Sequence, residues 1–325
     1  MEKPSWLRAV DPIFVGLLRH ILSDDAHMEK RRWAIVGVTG FIGSGLVSML
    51  ADQGIEVTGI SRSGTGNVAG VKTWQSLDSL DLRGHECVIN LAGEPVDQRW
   101  TRAIRESFYQ SRVVLTQKIV AALASIPEEE RPRTLINASA VGYYGDSKDS
   151  KIDESSPAGE SYLAQLCHEW EQAAMEAQNS GVRVTTLRIG IVLGRHGRAF
   201  EKLMLVFRSG IGGRLGAGDQ WMPWIHVHDL RRAIMHIADQ SDLTGPINGT
   251  APFPERNRDF THKLAKAVRR PAIFPVPSWA LKIVLGEFAE VLLSGQKALP
   301  KVLLESGFCF DYPTLESALT NLTAR

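Results

Sequence analysis

No stretch of this chain approaches the roughly 18 consecutive apolar residues of a membrane-spanning helix, so no transmembrane segment is expected. Charge of one sign is also missing. The 37 Lys and Arg residues offset 36 Asp and Glu to leave +1, and no strong field draws the chain to nucleic acid or an anionic membrane. The short clusters Lys30-Arg31-Arg32 and Arg269-Arg270 read as solvated surface. Cysteine is scarce and odd in number. Cys87, Cys167 and Cys309 form no CxxC pair, which argues against a disulfide framework or a structural zinc site and fits a cytoplasmic protein. The scattered His, Asp and Cys show no metal-ligand spacing, so no metal is expected. Internal repeats and low-complexity tracts are absent. Near the start, Ile13-Phe14-Val15-Gly16-Leu17-Leu18 is apolar but short, is followed by Arg19 and His20, and lacks a small-residue cleavage site. A surface helix, or an over-long start with Met28 as the alternative initiator, is favoured over a signal peptide or a membrane-surface anchor.

What is present is ordinary in bulk and specific in detail. A chain of 325 residues with 44% hydrophobic and 22% charged content can bury a large core in about two structural units. The most informative stretch is Gly37-Val38-Thr39-Gly40-Phe41-Ile42-Gly43. It follows the apolar run Trp33-Ala34-Ile35-Val36 and opens a helical pattern with Leu46, Val47, Met49 and Leu50. A strand, a glycine turn and a helix in that order form a phosphate cradle. The first glycine permits the turn, the second lets a pyrophosphate approach the backbone, and the third lets the helix pack on the strand. Unpaired N–H groups and the partial positive charge of the helix start then face the phosphates. Dinucleotide binding through Gly37, Thr39, Gly40, Phe41, Ile42 and Gly43 is the expectation.

From residue 33 to about 190, short β-like runs alternate with helical ones. Strands are expected at 57–60, 71–74, 87–91, 134–138 and 182–187, with helices at 99–124 and 161–179. That alternation predicts an α/β fold, a Rossmann-like doubly wound parallel sheet with helices on both faces. Beyond Gly194 glycine and proline become dense, and helices are expected at 228–238, 259–268, 278–293 and 299–305. The expected organisation is an N-terminal extension (1–32), a dinucleotide-binding domain (33–194) and a smaller mixed C-terminal lobe (195–325) over the strand ends, with the chain free to return to the main sheet.

An NAD site usually places an Asp or Glu at the end of the second strand to bind the ribose hydroxyls. Here Ile60-Ser61-Arg62-Ser63 offers no acid. Arg62 can pair with a 2′-phosphate and Ser61 can donate to it, so NADP(H) is expected over NAD(H). The alternative is a surface loop arginine without a ligand. Asn90-Leu91-Ala92-Gly93 ends the fourth strand, and its small residues either admit a nicotinamide ribose or form a simple strand-end turn.

These segments, with Ala138-Ser139-Ala140-Val141-Gly142-Tyr143-Tyr144-Gly145, resemble the extended short-chain dehydrogenase/reductases. More narrowly, the chain resembles their atypical "epimerase family protein" group, which is NAD-dependent epimerase/dehydratase-like and has a characteristic C-terminal domain. The supporting segments are Arg99-Trp100-Thr101 with Ser111-Arg112, Cys167-His168-Glu169-Trp170-Glu171, Trp224-Ile225-His226-Val227-His228-Asp229-Leu230, and Leu293-Ser294-Gly295-Gln296 with Gly307-Phe308-Cys309-Phe310-Asp311-Tyr312-Pro313. The resemblance spans about residues 33–322 and implies a Rossmann domain, a small C-terminal lobe and a nicotinamide cofactor.

The wider superfamily uses a Ser or Thr, a Tyr, and a Lys four residues after the Tyr, the lysine lowering the phenol pKa so that it can exchange a proton during hydride transfer. This chain departs from that pattern. Leu166 stands four residues after Tyr162, while an alignment on Trp170-Glu171 puts Leu163 and Cys167 at the Tyr and Lys positions. The usual hydroxyl position falls on Ala140, one residue after Ser139. Tyr143, with Ser139, is the leading catalytic candidate, against a packing or nicotinamide-positioning role; Cys167 and Tyr162 read as packing residues. Arg188 either anchors a substrate or pairs with a structural acid, and His226 and Asp229 read as structural. The expected function is an NADP(H)-binding oxidoreductase or epimerase-like enzyme with a degenerate Ser-Tyr-Lys site, acting on an unidentified small polar substrate. The alternative is a non-catalytic NADP(H)-binding regulatory or sensor protein. The helix expected at 99–124 could serve as a homodimer interface, as in the wider superfamily.

Overall fold

The computed structural model describes residues 31–324, so the expectations for the apolar run at 13–18 and for Met28 lie outside the described residues. Seven strands build the main sheet: β1 (Arg32–Val36), β2 (Glu56–Ser61), β3 (Val71–Ser76), β4 (Cys87–Asn90), β5 (Thr134–Ala140), β6 (Arg183–Ile189) and β7 (Gly245–Gly249). Their order is β7-β6-β5-β4-β1-β2-β3, and every neighbouring pair is parallel. The helices are α1 (Phe41–Asp52), α2 (Arg102–Tyr109), α3 (Leu115–Ala124), α4 (Tyr162–Met175), α5 (Arg198–Arg208), α6 (Val227–Asp239), α7 (Asn257–Val268), α8 (Ser278–Leu285), α9 (Phe288–Leu293), α10 (Lys301–Glu305) and α11 (Leu315–Thr323). Among the described residues no helix is long and apolar enough to cross a membrane.

The apolar strand sequences follow from burial on both faces. Successive strand side chains point to opposite sides, so a sheet covered twice needs apolar residues at odd and even positions. Trp33 and Ile35 of β1 pack with Leu46, Val47 and Leu50 of α1 and with Leu230, Ala233 and Ile234 of α6. Ala34 and Val36 face the other side, where Leu115, Ile119 and Leu123 of α3 cover Val88, Leu135 and Val184. The strand order reverses between β1 and β4, which opens a crevice at their C-terminal ends.

The helix expected at 99–124 is helical only from Arg102, because Thr101 caps it with a bond from Ile104 N at 3.3 Å. A π-helical turn, Gln110–Val114, then separates α2 from α3. Ser161 caps α4 in the same way, accepting from Ala164 N at 3.2 Å.

Beyond residue 194 the chain returns to the sheet through β7, a strand that Gly245 and Pro246 conceal from composition-based reading. A second core forms around Phe200, Met204, Phe207, Trp224, Phe260, Leu264, Leu315 and Leu319. The single helix expected at 278–293 breaks at Gly286, whose φ of +61° ends α8 before α9 begins. The segment after α9 then closes on the loop that follows β5. Ser147 N donates to Gly295 O at 2.9 Å, Gln296 Nε2 donates to Gly145 O at 2.6 Å, and Lys297–Ala298 pairs in parallel with Lys151–Ile152. That segment thereby holds the Tyr143-Tyr144-Gly145 loop in place.

Candidate functional site

The glycine turn lies at the C-terminal end of β1 and meets the loop after β4. Gly37 has φ +79°, and a Cβ there would stand 3.0 Å from both Leu91 C and Ala92 N. Only glycine allows that turn and that approach together. A Cβ on Gly43 would lie 2.8 Å from Gly37 O and 2.9 Å from Val38 Cα, so α1 packs directly against the turn. Gly40 occupies the N-cap, no side chain caps the helix, and no acid stands in its first turn. The orphan N–H groups of that turn are left for an anion, and the local dipole favours one. These donors and the missing Cβ atoms fit a pyrophosphate.

Two features of the cradle escaped sequence reasoning. Arg231 of α6 donates from Nη2 to Phe41 O at 2.6 Å and from Nε to Ile42 O at 3.1 Å, and makes no ion pair among the described residues. Burial pulls its guanidinium down from the usual value. The guanidinium occupies the space a Cβ on Gly45 would fill. A signal was present: Gly43-Ser44-Gly45 puts two glycines inside a helix, where each costs about 1 kcal/mol relative to alanine.

At the end of β2, Ser61 Oγ donates to Thr65 O at 2.7 Å, and Ser63 Oγ lies 3.1 Å from Thr65 Oγ1, so both hydroxyls shape their own loop. Arg62 is exposed and makes no hydrogen bond or ion pair among the described residues. At the end of β4 the Asn90 side chain is turned inward. Its Nδ2 donates to Asn137 Oδ1 at 2.7 Å and Thr116 Oγ1 at 3.1 Å, and its Oδ1 accepts from Ala92 N at 3.2 Å. Asn90 therefore shapes the Leu91-Ala92-Gly93 turn from beneath.

The catalytic candidates divide. Ser139 is 3% exposed and donates to Glu171 Oε1 at 2.6 Å. Its only hydroxyl proton points at that carboxylate. Arg188 grips the same carboxylate, Nε to Oε1 and Nη2 to Oε2, both at 2.8 Å, and donates from Nη1 to Tyr144 Oη at 2.9 Å. Of the two partners left open for Arg188, the acid is present as Glu171. Tyr144 Oη donates onward to Asn248 Oδ1 at 2.8 Å, and burial pushes its phenol up to about 12. Burial likewise pushes the Cys167 thiol up to about 11, so it stays protonated at neutral pH. Tyr162 donates to Arg105 O at 3.2 Å and packs on Trp100. Tyr143 differs from all of these. It is half-buried, its ring lies 3.5 Å from Arg188 Cζ, and its hydroxyl has no partner among the described residues.

Two polar residues beyond β6 hydrogen-bond to backbone groups. His226 Nδ1 accepts from His228 N at 3.1 Å to cap α6, and burial lowers its pKa to about 4. Asp229 is fully buried and accepts from Asp311 N and Tyr312 N, both at 2.9 Å, pinning the segment before α11.

The family described as "NAD dependent epimerase/dehydratase family" matches residues 33–248, and a "Domain of unknown function (DUF1731)" matches residues 276–322. The chain is 40% identical over 295 residues to the Arabidopsis thaliana "Epimerase family protein SDR39U1 homolog, chloroplastic", covering 88% of this chain and 85% of that protein. Among solved structures it is similar to human epimerase family protein SDR39U1 (isoform2) with NADPH, at 33% identity and a TM-score of 0.83, covering 90% of this chain and 99% of that one. It is also similar to a Corynebacterium glutamicum nucleoside-diphosphate sugar epimerase, at 27% identity and a TM-score of 0.73, covering 95% of this chain and 62% of that one. The chain belongs to the NAD dependent epimerase/dehydratase family, in the atypical short-chain dehydrogenase/reductase group of the epimerase family proteins, and carries that group's C-terminal domain.

Proposed function

We propose that this protein binds NADP(H) and acts as an epimerase-like oxidoreductase on a small polar, sugar-like substrate. The observation that carries the reading is an uncapped glycine helix start beside an uncommitted arginine, Arg62, where an NAD site keeps an acid. The NADPH in the human relative and the nucleoside-diphosphate sugar epimerase fold relationship support it. In this reading the backbone of Gly37, Thr39, Gly40, Phe41, Ile42 and Gly43 holds the pyrophosphate. Arg62, beside Ser61, holds the 2′-phosphate, and the turn Asn90-Leu91-Ala92-Gly93 receives the nicotinamide ribose. A bound nicotinamide would supply or accept the hydride. Tyr143 carries the uncommitted hydroxyl of the strand-end loop and is the group offered for proton exchange, while Ser139 acts through the Glu171–Arg188 brace. Mass spectrometry of ligands retained by the purified protein, with fluorescence titrations of NADPH and NADH, tests the cofactor. NADPH is expected to bind more tightly, and the reverse order defeats the Arg62 assignment.

A second reading, a sensor of NADP(H) without turnover, is favoured by the missing lysine, whose place falls on Leu166 or on Cys167 in the two alignments, and by the raised Cys167 pKa. Assays over alcohols, carbonyl compounds and nucleotide sugars separate the two. Turnover that Tyr143→Phe abolishes excludes the sensor, whereas cofactor binding without turnover on any of these favours it.

A further inference from the structure

Arg112 stands in the π-helical turn Gln110–Val114. Such turns re-aim a side chain within a helix and recur at functional sites. This one directs a guanidinium at the C-terminal end of β4. Arg112 Nη2 donates to Glu94 O at 2.9 Å, and a Cβ on Gly93 would lie 3.2 Å from its Cζ and Nη2. Its Cζ stands 5.7 Å from the Phe108 ring centroid and 5.3 Å from that of Trp170.

Unlike Arg188, which has Glu171, Arg112 pairs with no carboxylate among the described residues, and its Nε donates to none of them. Partial burial without a counter-ion pulls its guanidinium down from the usual value. The fold keeps a desolvated, unneutralised charge here, which is unfavourable unless a ligand uses it. Cys167, which one of the two alignments sets at the superfamily's lysine position, lies one helical turn before Trp170 on α4, and α4 packs against the π turn. On that alignment a positive charge stands near the missing lysine's place, supplied from a different helix.

The direction in which a dinucleotide would lie follows from the other contacts. Arg62 stands at the end of β2 and the phosphate cradle at the end of β1. A dinucleotide spans the switch point of an open sheet, so its remaining half lies on the β4–β5 side, where Arg112 is found. We propose that Arg112 grips the nicotinamide–ribose half through its unshared N–H groups and, by its fixed positive charge, selects the neutral reduced ring over the cationic oxidised one. This rests on the NADP(H) reading above.

Dissociation constants for NADPH, NADP⁺ and adenosine 2′,5′-bisphosphate, measured on the full chain by calorimetry, decide the matter. Wild type is expected to bind NADPH at least tenfold more tightly than NADP⁺. Arg112→Met should bring that ratio close to one and leave bisphosphate affinity within twofold, while Arg112→Lys should keep the ratio. Three results overturn the proposal: a wild type that does not discriminate, a ratio that survives Arg112→Met, or equal losses for NADPH and the bisphosphate. If Arg112→Met does not fold, Arg112→Gln takes its place under the same criteria, and a wild type that does not discriminate overturns the proposal without any variant. A wild type that binds neither NADPH nor the bisphosphate defeats the NADP(H) reading itself, which differs from bisphosphate binding without redox discrimination.

Discussion

Arg188 and Glu171 form a doubly bonded ion pair in the interior, with Arg188 3% and Glu171 6% exposed and both nitrogen–oxygen distances 2.8 Å. The pair ties β6 to α4, and Ser139 and Tyr144 hang from its two ends. Burying two charges is favourable only when the geometry and the remaining hydrogen bonds are satisfied, as they are here. Glu171→Gln leaves a buried guanidinium without its counter-charge and should cost about 3–5 kcal/mol. The urea unfolding midpoint should fall accordingly, and the combined loss in Glu171→Gln with Arg188→Met should be smaller than the sum of the single losses.

Arg62→Ala should weaken NADPH binding at least tenfold and leave NADH binding unchanged. Hydrogen bonds to a charged group are worth about 1.5–3 kcal/mol, and Arg62 has no hydrogen-bond or ion-pair partner among the described residues to lose. Parallel titrations of the two nucleotides read the difference directly. Equal losses for both would place Arg62 outside the 2′-phosphate contact.

Gly43→Ala places a Cβ against two backbone groups, Gly37 O at 2.8 Å and Val38 Cα at 2.9 Å, neither of which can swing aside. The turn and helix must part, and nucleotide affinity should fall more than tenfold. Gly54→Ala is the control. Gly54 also has a positive φ, +74°, but a Cβ there meets nothing within 4 Å. It should cost about 1–2 kcal/mol of stability through backbone strain and spare nucleotide binding.

His226 is buried as a neutral ring with a pKa lowered to about 4 from 6.5. Above pH 6.5 neither the folded nor the unfolded chain protonates it. Below that the unfolded chain takes up a proton that the folded chain resists, so stability should fall as pH drops from 6.5 to 4. The loss is on the order of 2–3 kcal/mol. Urea midpoints across this range for wild type and His226→Asn, which keeps a capping acceptor, should show a flatter profile in the variant. Identical slopes would assign the pH dependence to other groups.

Much of the architecture was legible because the parallel strands are buried on both faces and read as apolar runs, as in Trp33-Ala34-Ile35-Val36. β7 was not legible, since Gly245, Pro246 and Asn248 give it none of the composition of a strand; its place comes from pairing with β6. The glycine turn was legible because Gly37 and Gly43 are required by local backbone geometry. The fate of Ser139 was not, because its partner Glu171 lies on a helix 32 positions away.

The sequence by itself determined the apolar strand runs, the glycine turn and the absence of an acid after β2, all of which depend on residues adjacent in the chain. Tertiary structure alone decided how the polar groups are used. It tied Ser139, Tyr144 and Arg188 into a buried network, left the Tyr143 hydroxyl and the Arg62 side chain without a hydrogen-bond partner among the described residues, and brought Arg112 from a helical π turn to the end of β4. Hydrogen bonds and charges act across space between segments far apart in the chain, so residue order alone does not reveal which are satisfied and which remain available to a ligand.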